Sequence, residues 1–361
     1  MSGDTVVVTG AAAGLGRATA RAFGSRGARV ALLARGIAGL DAAKAEIEGA
    51  GGRALSLPVD IADADQVEAA ADMVERRFGP IDIWVNCAMA TIFSPVSDIT
   101  PEEFRRSTEV TYLGYVWGTM AALKRMRPRG RGTIVQVGSA LAYRAIPLQA
   151  PYCGAKFAIR GFTDSLRTEL LHDGSDIHLT MVQMPALNTP QFDWARNKTG
   201  KRLQPVPPIF QPEVGAEAIV YAAYARRREI YVGWPTVKAI LANKVAPGLL
   251  DHYLARYGYD SQLSDEPAPD APGNLFAALP GDHGAHGRFD VMASPYNIEL
   301  ALSRQRGWLA LAGAGAAVLV AAFFASRRRT ARPPLGRRAA RLAAQTPNAP
   351  SAIATPAASS V

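Results

Sequence analysis

The amino-acid sequence predicts an α/β protein built on a doubly wound, parallel, seven-stranded sheet with helices on both faces. Short apolar runs recur along residues 1–233, and most of them are separated by stretches with helical periodicity. A glycine-rich segment follows the first run directly, as expected where a strand turns into a helix. The seven predicted strands are residues 5–9, 29–34, 54–59, 81–86, 132–138, 177–183 and 229–233.

The composition indicates a folded intracellular protein. The chain has 361 residues, of which 48% are hydrophobic, enough for one large α/β domain with additions. It contains two cysteines, Cys87 and Cys153, and this low usage predicts a reduced compartment. The first residues show no basic stretch and no cleavage site, so we expect no signal peptide and a cytoplasmic catalytic domain.

The positive charge is concentrated near the C-terminus. The net charge is +9, with 40 basic and 31 acidic residues, and nine arginines but no acidic residue lie between Arg304 and Val361. Without them, 31 basic and 31 acidic residues remain, so the main domain carries no surplus to neutralise phosphates. This balance argues against a nucleic-acid-binding enzyme domain, although the tail itself is suited to anionic lipid or nucleic acid.

Residues 9–16 read TGAAAGLG and lie between the first predicted strand and a helix. Gly10 permits a tight turn, Gly14 lets the backbone approach a pyrophosphate, and Gly16 packs the helix on the sheet. The helix N-terminus then offers free N–H groups and a positive dipole end to the phosphates. The residues of this segment predicted to bind a dinucleotide are Gly10, Ala12, Gly14, Leu15, Gly16 and Arg17.

The end of the second predicted strand favours NADP over NAD. An acidic residue there would accept from the ribose hydroxyls of NAD, but this chain has Ala34 followed by Arg35. A guanidinium binds a 2′-phosphate in a bidentate manner, unless Arg35 is an ordinary solvated loop residue. Asp60 closes the third predicted strand, beside Ile61, and is expected to hydrogen-bond the adenine amino group.

Tyr152 and Lys156 are predicted to perform proton transfer. Their i, i+4 spacing puts both on one face of a predicted helix. A lysine ammonium beside a phenol is expected to lower the phenol pKa, so that Tyr152 exchanges a proton with an alcohol or carbonyl oxygen. Ser139 ends the fifth predicted strand, and its hydroxyl is expected to hydrogen-bond the same substrate oxygen.

Together these motifs resemble the short-chain dehydrogenase/reductase family over about residues 4–233. The resemblance implies a Rossmann-like sheet, NAD(P)-linked oxidation or reduction, and homodimers or homotetramers. It implies Tyr152 as general acid/base, Lys156 as the residue that orients the nicotinamide ribose, and Ser139 as the anchor of the substrate oxygen. The further cofactor-binding residues that it implies are Asn86, Ala88, Pro185, Ala186 and Thr189.

Three segments depart from the family pattern. Met89 stands where the family has glycine, and Ala186 replaces the glycine after the sixth strand. Thr111 stands where the family often has a catalytic asparagine, and its hydroxyl is expected to hold a water leading to Lys156. Thr189 comes about one residue early for a role near the carboxamide.

The substrate is expected to be a small apolar alcohol or carbonyl compound, because the candidate pocket residues are apolar or aromatic. The alternative is a catalytically silent NADP-binding scaffold that senses redox state at the membrane. His283 and His286 do not form a metal-ligand pattern, so no metal site is predicted. The candidate pocket residues are Leu141, Tyr143, Phe93, Phe192 and Trp194, the last two in a predicted covering loop at 187–213.

Three regions follow the predicted NADP-binding domain of residues 1–233. Residues 234–303 form an extension with one helix expected near 235–256, residues 304–326 a predicted membrane helix, and residues 327–361 a disordered tail. The apolar stretch 307–326 is marginally hydrophobic, so a packed terminal helix is the alternative to membrane association. The arginines after it place the tail in the cytoplasm, on the same side as the enzyme domain, and one spanning helix cannot satisfy both placements.

Overall fold

A computed structural model describes residues 3–269, 271–305, 315 and 317–324, and it contains the predicted sheet. Seven parallel strands pair in the order β7-β6-β5-β4-β1-β2-β3, which confirms the predicted fold class. The order in which strands are added to the sheet reverses between β1 and β4, as in a doubly wound sheet. The strands are β1 (Thr5–Thr9), β2 (Arg29–Ala34), β3 (Arg53–Pro58), β4 (Ile83–Asn86), β5 (Arg131–Ser139), β6 (Asp176–Met184) and β7 (Glu229–Tyr231).

Two predicted strands are shorter in the structure than in the sequence pattern. β4 begins at Ile83, because the preceding Asp82 ends the loop by accepting a hydrogen bond from Thr5 N through its carboxylate at 3.0 Å. β7 ends at Tyr231, because Gly233 adopts a positive φ of 77° and starts the next helix.

Helices cover both faces of the sheet. Strand β1 shows the consequence, since Val6 and Val8 pack on one side and Val7 on the other, all fully buried. The helices are α1 (Gly14–Gly24), α2 (Ile37–Gly49), α3 (Ala64–Phe78), α4 (Pro101–Thr108), α5 (Gly114–Met126), α6 (Ala150–His172), α7 (Gln191–Trp194), α8 (Pro212–Tyr224), α9 (Trp234–Val245), α10 (Pro247–Tyr257) and α11 (Ile298–Arg304). One core layer joins the sheet to α1, α2 and α8, and the other joins it to α3, α5 and α6.

The helix expected near 235–256 is two helices, α9 and α10. Ala246 leaves the helical conformation, with φ −143° and ψ 63°, immediately before Pro247. The proline ring disfavours the α conformation of the residue before it, which explains the break. The extension then returns to the main domain through two short strand pairs. Leu263–Pro267 pairs with Lys201–Leu203, and Ala293–Ser294 pairs with Ile209–Phe210.

Met1–Arg304 forms one compact unit, and the extension 234–303 lies inside it. The predicted division at residue 233 therefore stays a prediction. A second unit, Gln305–Val361, includes the predicted membrane helix and tail, most of which lie outside the described residues. None of the helices in the described ranges is long and apolar enough to cross a membrane.

Candidate active site

The glycine loop is closely packed between β1 and α1. Gly10 has a φ of 71°, and a Cβ placed on it would lie 2.8 Å from Ala88 Cα. A Cβ on Gly16 would lie 2.2 Å from the Gly10 carbonyl oxygen. Glycine at these two positions therefore lets the loop pack directly on Ala88 and lets α1 begin directly on the loop, which is the close packing that a pyrophosphate-binding turn requires.

Thr9 fixes the loop to the end of β4. Its hydroxyl accepts hydrogen bonds from Cys87 N at 2.9 Å and Ala88 N at 3.0 Å. These bonds hold together the carboxyl ends of β1 and β4, the two strands between which the strand order reverses. Open α/β sheets bind their ligands at that point.

A cavity of about 470 Å³ extends from the glycine loop to the end of β5. It brings together most of the residues predicted to bind cofactor or act in catalysis, although they come from distant parts of the sequence. Arg17, Asn86 and Thr111 do not line it. The predicted residues that do are Gly10, Ala12, Gly14, Leu15, Gly16, Arg35, Asp60, Ile61, Ala88, Ser139, Tyr152, Lys156, Pro185, Ala186 and Thr189.

Lys156 is buried in helix α6 with its ammonium group held by two acceptors. Its Nζ donates to the Val137 carbonyl at 2.7 Å and to Tyr115 Oη at 3.1 Å. Burial disfavours the charged form and lowers the Lys156 pKa to about 7. The residue is therefore poised to change charge near neutral pH.

Tyr152 stands one helical turn before Lys156, with the Lys156 ammonium 5.4 Å from its ring centroid. The sequence analysis expected Lys156 to lower the Tyr152 pKa, but burial raises it well above the usual value. A hydrogen bond with Ser139 acts in the opposite direction and is the smaller effect. Burial is the larger of the two effects, because the phenol is fully enclosed. Tyr152 is consequently a protonated phenol near pH 7.

Ser139 is placed by the end of β5, where the chain turns into a short helix at Ala140–Ala142. Its Oγ accepts a hydrogen bond from Leu141 N at 3.1 Å, which fixes the side chain toward the cavity. The same hydroxyl lies close enough to Tyr152 to act on the Tyr152 pKa, which it lowers. Two hydroxyl groups thus meet where a substrate oxygen would bind.

Thr111 lies in a π-helical turn, Glu109–Leu113, between α4 and α5. Its hydroxyl donates to the Ala90 carbonyl at 2.7 Å and accepts from Ala90 N at 2.9 Å. The side chain is fully buried, and its single proton is used in that bond. This geometry ties Thr111 to the backbone after β4, where the sequence analysis had expected a water leading to Lys156.

Tyr115, which the sequence analysis overlooked, occupies the space beside Lys156. Its Oη donates to the Val137 carbonyl at 3.1 Å and accepts from Lys156 Nζ. Its ring also faces the ammonium at 4.7 Å from the centroid. No clear sequence pattern marks Tyr115 as a partner of Lys156, because it follows Thr111 by one turn of an ordinary amphipathic helix.

Asn86 and Arg17 are committed to the protein interior. Asn86 accepts from Trp84 Nε1 at 2.8 Å and donates to Gln136 Oε1 at 3.0 Å, so it joins β4 to β5. Arg17 is 2% exposed and pairs with the carboxylates of Glu46 and Asp282. Both residues support the cofactor cleft from behind its surface.

Arg35 and Asp60 line the end of the cavity expected to hold adenosine. The Arg35 guanidinium donates to backbone carbonyls in the extension, including that of Phe276 at 3.1 Å. The Asp60 carboxylate forms an ion pair with Arg106 and accepts from Ala62 N at 3.1 Å. Burial lowers the Arg35 pKa, and the nearby Arg106 guanidinium lowers it further.

The opposite end of the cavity is mostly apolar. Leu141, Phe192 and Trp194 line it, together with Met89. Tyr143 does not, because its hydroxyl turns away to donate to Glu229 at 2.7 Å. Phe93 is also absent from the lining. Its ring packs against Phe192, with centroids 6.2 Å apart, in a cluster behind the cavity.

The histidines of the extension have protein partners. His286 contacts Glu213 at 2.9 Å and Asp290 at 2.9 Å, and His283 packs edge-on against Trp194. Across residues 3–269, 271–305, 315 and 317–324, the structure contains no group of three or more His, Cys, Asp or Glu side chains placed to hold a metal ion.

Residues 4–199 match the short chain dehydrogenase family. An uncharacterized oxidoreductase of Bacillus subtilis, YxnA, is 32% identical over 285 residues, which covers 78% of this chain and 80% of the relative. A D-threitol dehydrogenase of Mycolicibacterium smegmatis is 32% identical over 225 residues, covering 62% of this chain and 86% of the relative.

A solved structure gives the same picture. A metagenomic short-chain oxidoreductase in complex with NADP superimposes with a TM-score of 0.55 and 28% identity, covering 64% of this chain and 97% of that chain. The family match covers more than half of the sequence, and both relatives are named as enzymes that oxidise or reduce. The chain belongs to the short chain dehydrogenase family and is an NAD(P)-dependent oxidoreductase.

Proposed function

We propose that the chain is an NADP-dependent reductase or dehydrogenase for a small apolar alcohol or carbonyl substrate, with Tyr152 as the proton-transfer residue. The observation that carries the proposal is the meeting of Ser139, Tyr152 and Lys156 in the same cavity as the glycine loop. A silent cofactor-binding protein would not need two hydroxyl groups and a buried lysine at that point.

The glycine loop, Arg35 and Asp60 would hold the dinucleotide, and its nicotinamide supplies or accepts the hydride when bound. In the reductive direction, Tyr152 Oη donates its proton to the carbonyl oxygen, and in oxidation it accepts the proton of the alcohol. Ser139 Oγ donates a hydrogen bond to the same oxygen, which fixes the substrate and stabilises the developing charge.

Lys156 prepares Tyr152 for this exchange. Val137 and Tyr115 anchor its ammonium, and a positive charge 5.4 Å from the Tyr152 ring stabilises the phenolate that forms when the proton leaves. Tyr115 is therefore proposed as a positioning residue for Lys156. Thr111 supports the loop after β4, since its hydroxyl is used by Ala90.

The NADP preference rests on the charge around Arg35. The strand before it ends in Ala34, so no carboxylate is present at that end of β2 to repel a 2′-phosphate. Arg106, which is ion-paired with Asp60, adds a second guanidinium nearby. Two guanidinium groups suit a phosphate ester better than the ribose hydroxyls of NAD.

The apolar substrate class rests on Leu141, Phe192 and Trp194, whose side chains surround the end of the cavity next to Ser139. The relative named for D-threitol acts on a polar polyol, so kinship alone does not favour an apolar substrate. A self-associating enzyme is also proposed. The exposed Met120 on α5 and Phe157 on α6 support a homodimer or homotetramer packed through these two helices.

Contact with membrane lipid is a separate proposal, which the sequence supports through the uncharged stretch Trp308–Ala325 and the arginines that follow it. The competing proposal, an NADP-binding scaffold without turnover, is favoured by the engagement of Thr111 with Ala90.

A turnover screen separates the two functions. Purified chain is mixed with NADPH and hydrophobic ketones or aldehydes, and with NADP⁺ and the matching alcohols, while absorbance at the nicotinamide band is followed. We expect saturable turnover with at least one apolar pair and little with polyols. Tight NADPH binding without turnover across the panel would favour the scaffold.

A further inference from the structure

Part of the extension, residues 273–290, lies across the cofactor cleft, and we call this segment the cover. Asn274, Leu279 and His283 of the cover line the same cavity as the glycine loop and Tyr152. A dinucleotide bound in that cavity would therefore lie between the loop and the cover. The family match ends at residue 199, so the cover lies beyond the shared domain.

One end of the cover is attached to the glycine loop. Gly14 N donates a hydrogen bond to the Gly284 carbonyl at 3.0 Å. The Asp282 carboxylate forms an ion pair with Arg17, whose side chain is only 3% exposed. A buried guanidinium needs its charge partners, so the Asp282 contact is stronger than an ordinary surface ion pair.

The other end of the cover is attached to the residues expected to bind adenosine. Arg35 donates to the carbonyl oxygens of three successive residues, Asn274, Leu275 and Phe276. Arg106 Nε donates to the Leu275 carbonyl at 3.2 Å. The direction of the Arg35 guanidinium is therefore set by the backbone of the extension.

The cover also contacts the predicted covering loop at 187–213. Asn274 N donates to the Trp194 carbonyl at 2.9 Å, and the His283 ring meets the Trp194 ring edge-on with centroids 4.7 Å apart. Gly287 N donates to the Asn188 carbonyl at 3.2 Å. Opening the cover would thus disturb both ends of the cavity.

We propose that the cover encloses the dinucleotide, holds Arg35 toward it, and must open for the cofactor to enter or leave, with Asp282 as the positioning residue that latches it to Arg17. The inference rests on the proposed function, since it requires that the cavity bind NADP(H). Asp282 pairs with Arg17 and not with the cofactor, so its loss changes how often the cover opens.

This arrangement has a kinetic signature. A residue that contacts the cofactor changes mainly the dissociation rate and therefore Kd. Loss of a latch raises the open fraction of both the free and the bound protein. The association and dissociation rates then rise by the same factor, and Kd stays nearly constant.

The test is stopped-flow fluorescence of NADPH binding and release in the full-length chain and in Asp282→Asn. We expect both rate constants to rise about 5- to 20-fold, the effect of losing one charge-assisted hydrogen bond with a partly exposed partner, with Kd changed by less than about 3-fold. Hydrogen exchange of backbone amides in residues 273–290 without cofactor should be faster in the variant.

Two control variants separate the latch from charge effects. Glu46→Gln removes the other carboxylate from Arg17 but lies on α2, outside the cover, so the exchange rates should change by less than about 2-fold. Asp265→Asn removes a fully exposed carboxylate of the extension and should behave likewise.

The outcomes are distinguishable from failure of the proposed function. If the wild-type chain binds neither NADPH nor NADH, the proposed function is wrong. If it binds NADPH and Asp282→Asn leaves both rates unchanged, the cover is not a gate. A rise in the dissociation rate alone, with weaker Kd, would make Asp282 a contact residue and overturn the latch. Equal acceleration by Glu46→Gln would assign the effect to Arg17 alone.

Discussion

At the scale of single residues, the active site depends on how burial shifts the pKa values of Tyr152 and Lys156 in opposite directions. Enclosure raises the Tyr152 pKa, which keeps the phenol protonated, and lowers the Lys156 pKa to about 7. Tyr152 therefore suits the role of proton donor in reduction at neutral pH. Lys156 is the group whose charge state changes near neutrality.

The first prediction concerns pH. Because the Lys156 pKa is lowered to about 7, its positive charge is present below that pH and is lost as the pH rises through it. The charge stabilises the phenolate, so kcat/KM for carbonyl reduction should fall above about pH 7. In Lys156→Arg, whose guanidinium stays charged, the remaining activity should not show this fall below pH 9. A flat wild-type profile between pH 6 and 9 would exclude the role given to Lys156.

The second prediction concerns cofactor choice. Arg35→Ala should weaken NADPH binding by about 1.5–3 kcal/mol, the range for a hydrogen bond to a charged group, and leave NADH binding nearly unchanged. Isothermal titration with both cofactors measures the difference. NADH is the internal control, since it lacks the 2′-phosphate but meets the same cover. Equal losses for the two cofactors would mean that Arg35 acts only by holding the cover.

Residue patterns predicted the motif-bearing part of the site well. The glycine loop, Ser139, Tyr152 and Lys156 are brought to one cavity, as the spacing indicated. Tyr115 was missed, because a tyrosine one turn after Thr111 has no pattern that marks it as a lysine partner. The Tyr152 pKa was predicted in the wrong direction, because sequence proximity to Lys156 does not reveal how completely the fold buries the phenol.

At the scale of elements, the π-helical turn Glu109–Leu113 explains the position of Thr111. Such turns insert an extra residue into a helix and are frequent at functional sites. Here the turn aims Thr111 at both backbone groups of Ala90, in the loop that passes the cofactor cavity. Its contribution is therefore to the shape of that loop.

The third prediction tests this assignment. Thr111→Val leaves the buried N–H and carbonyl of Ala90 without their partner, so the free energy of unfolding should fall by about 1–3 kcal/mol. Thr111→Ser keeps the hydroxyl and should recover most of that loss. Denaturant unfolding of the three proteins gives the values. A Val variant with wild-type stability and a much lower kcat would show that Thr111 acts in catalysis.

The cover is the element that could not be predicted from the sequence. Residues 273–290 have little periodicity and no strand or helix pattern, so the sequence indicated only an extension. Their contacts with the cleft are largely backbone carbonyls, which any residue type provides. The Arg17–Asp282 pair spans 265 positions of the chain, and two charged residues so far apart show no spacing signal.

At the scale of the whole molecule, Met1–Arg304 contains every group that the proposed chemistry uses. Helix α11 completes this unit through the buried Leu300 and the contact of Arg227 with Ser303 at 3.2 Å. Most of the surplus positive charge belongs to the residues that follow, since eight arginines and no acidic residue lie after Arg304. Catalysis and any lipid contact are thus assigned to separable parts of the chain.

The fourth prediction uses this separation. A chain ending at Arg304 should fold, bind NADPH and keep wild-type turnover on a water-soluble test substrate. The full-length chain should pellet with anionic lipid vesicles and resist release by high salt, because apolar burial is not screened as charge attraction is. The truncated chain is the control and should stay in the supernatant. A full-length chain that does not pellet would contradict the lipid proposal and leave the enzyme assignment intact.

The central claim is that Tyr152 transfers the proton while the rest of the cavity binds the cofactor. A single-turnover measurement with NADPH and an active carbonyl substrate tests it in wild type and Tyr152→Phe. The variant lacks only the phenolic hydroxyl, so NADPH affinity should stay within about 3-fold while the rate of nicotinamide oxidation falls by at least about 100-fold, the range for general acid catalysis. A Tyr152→Phe enzyme that oxidises NADPH at a near wild-type rate would contradict the account.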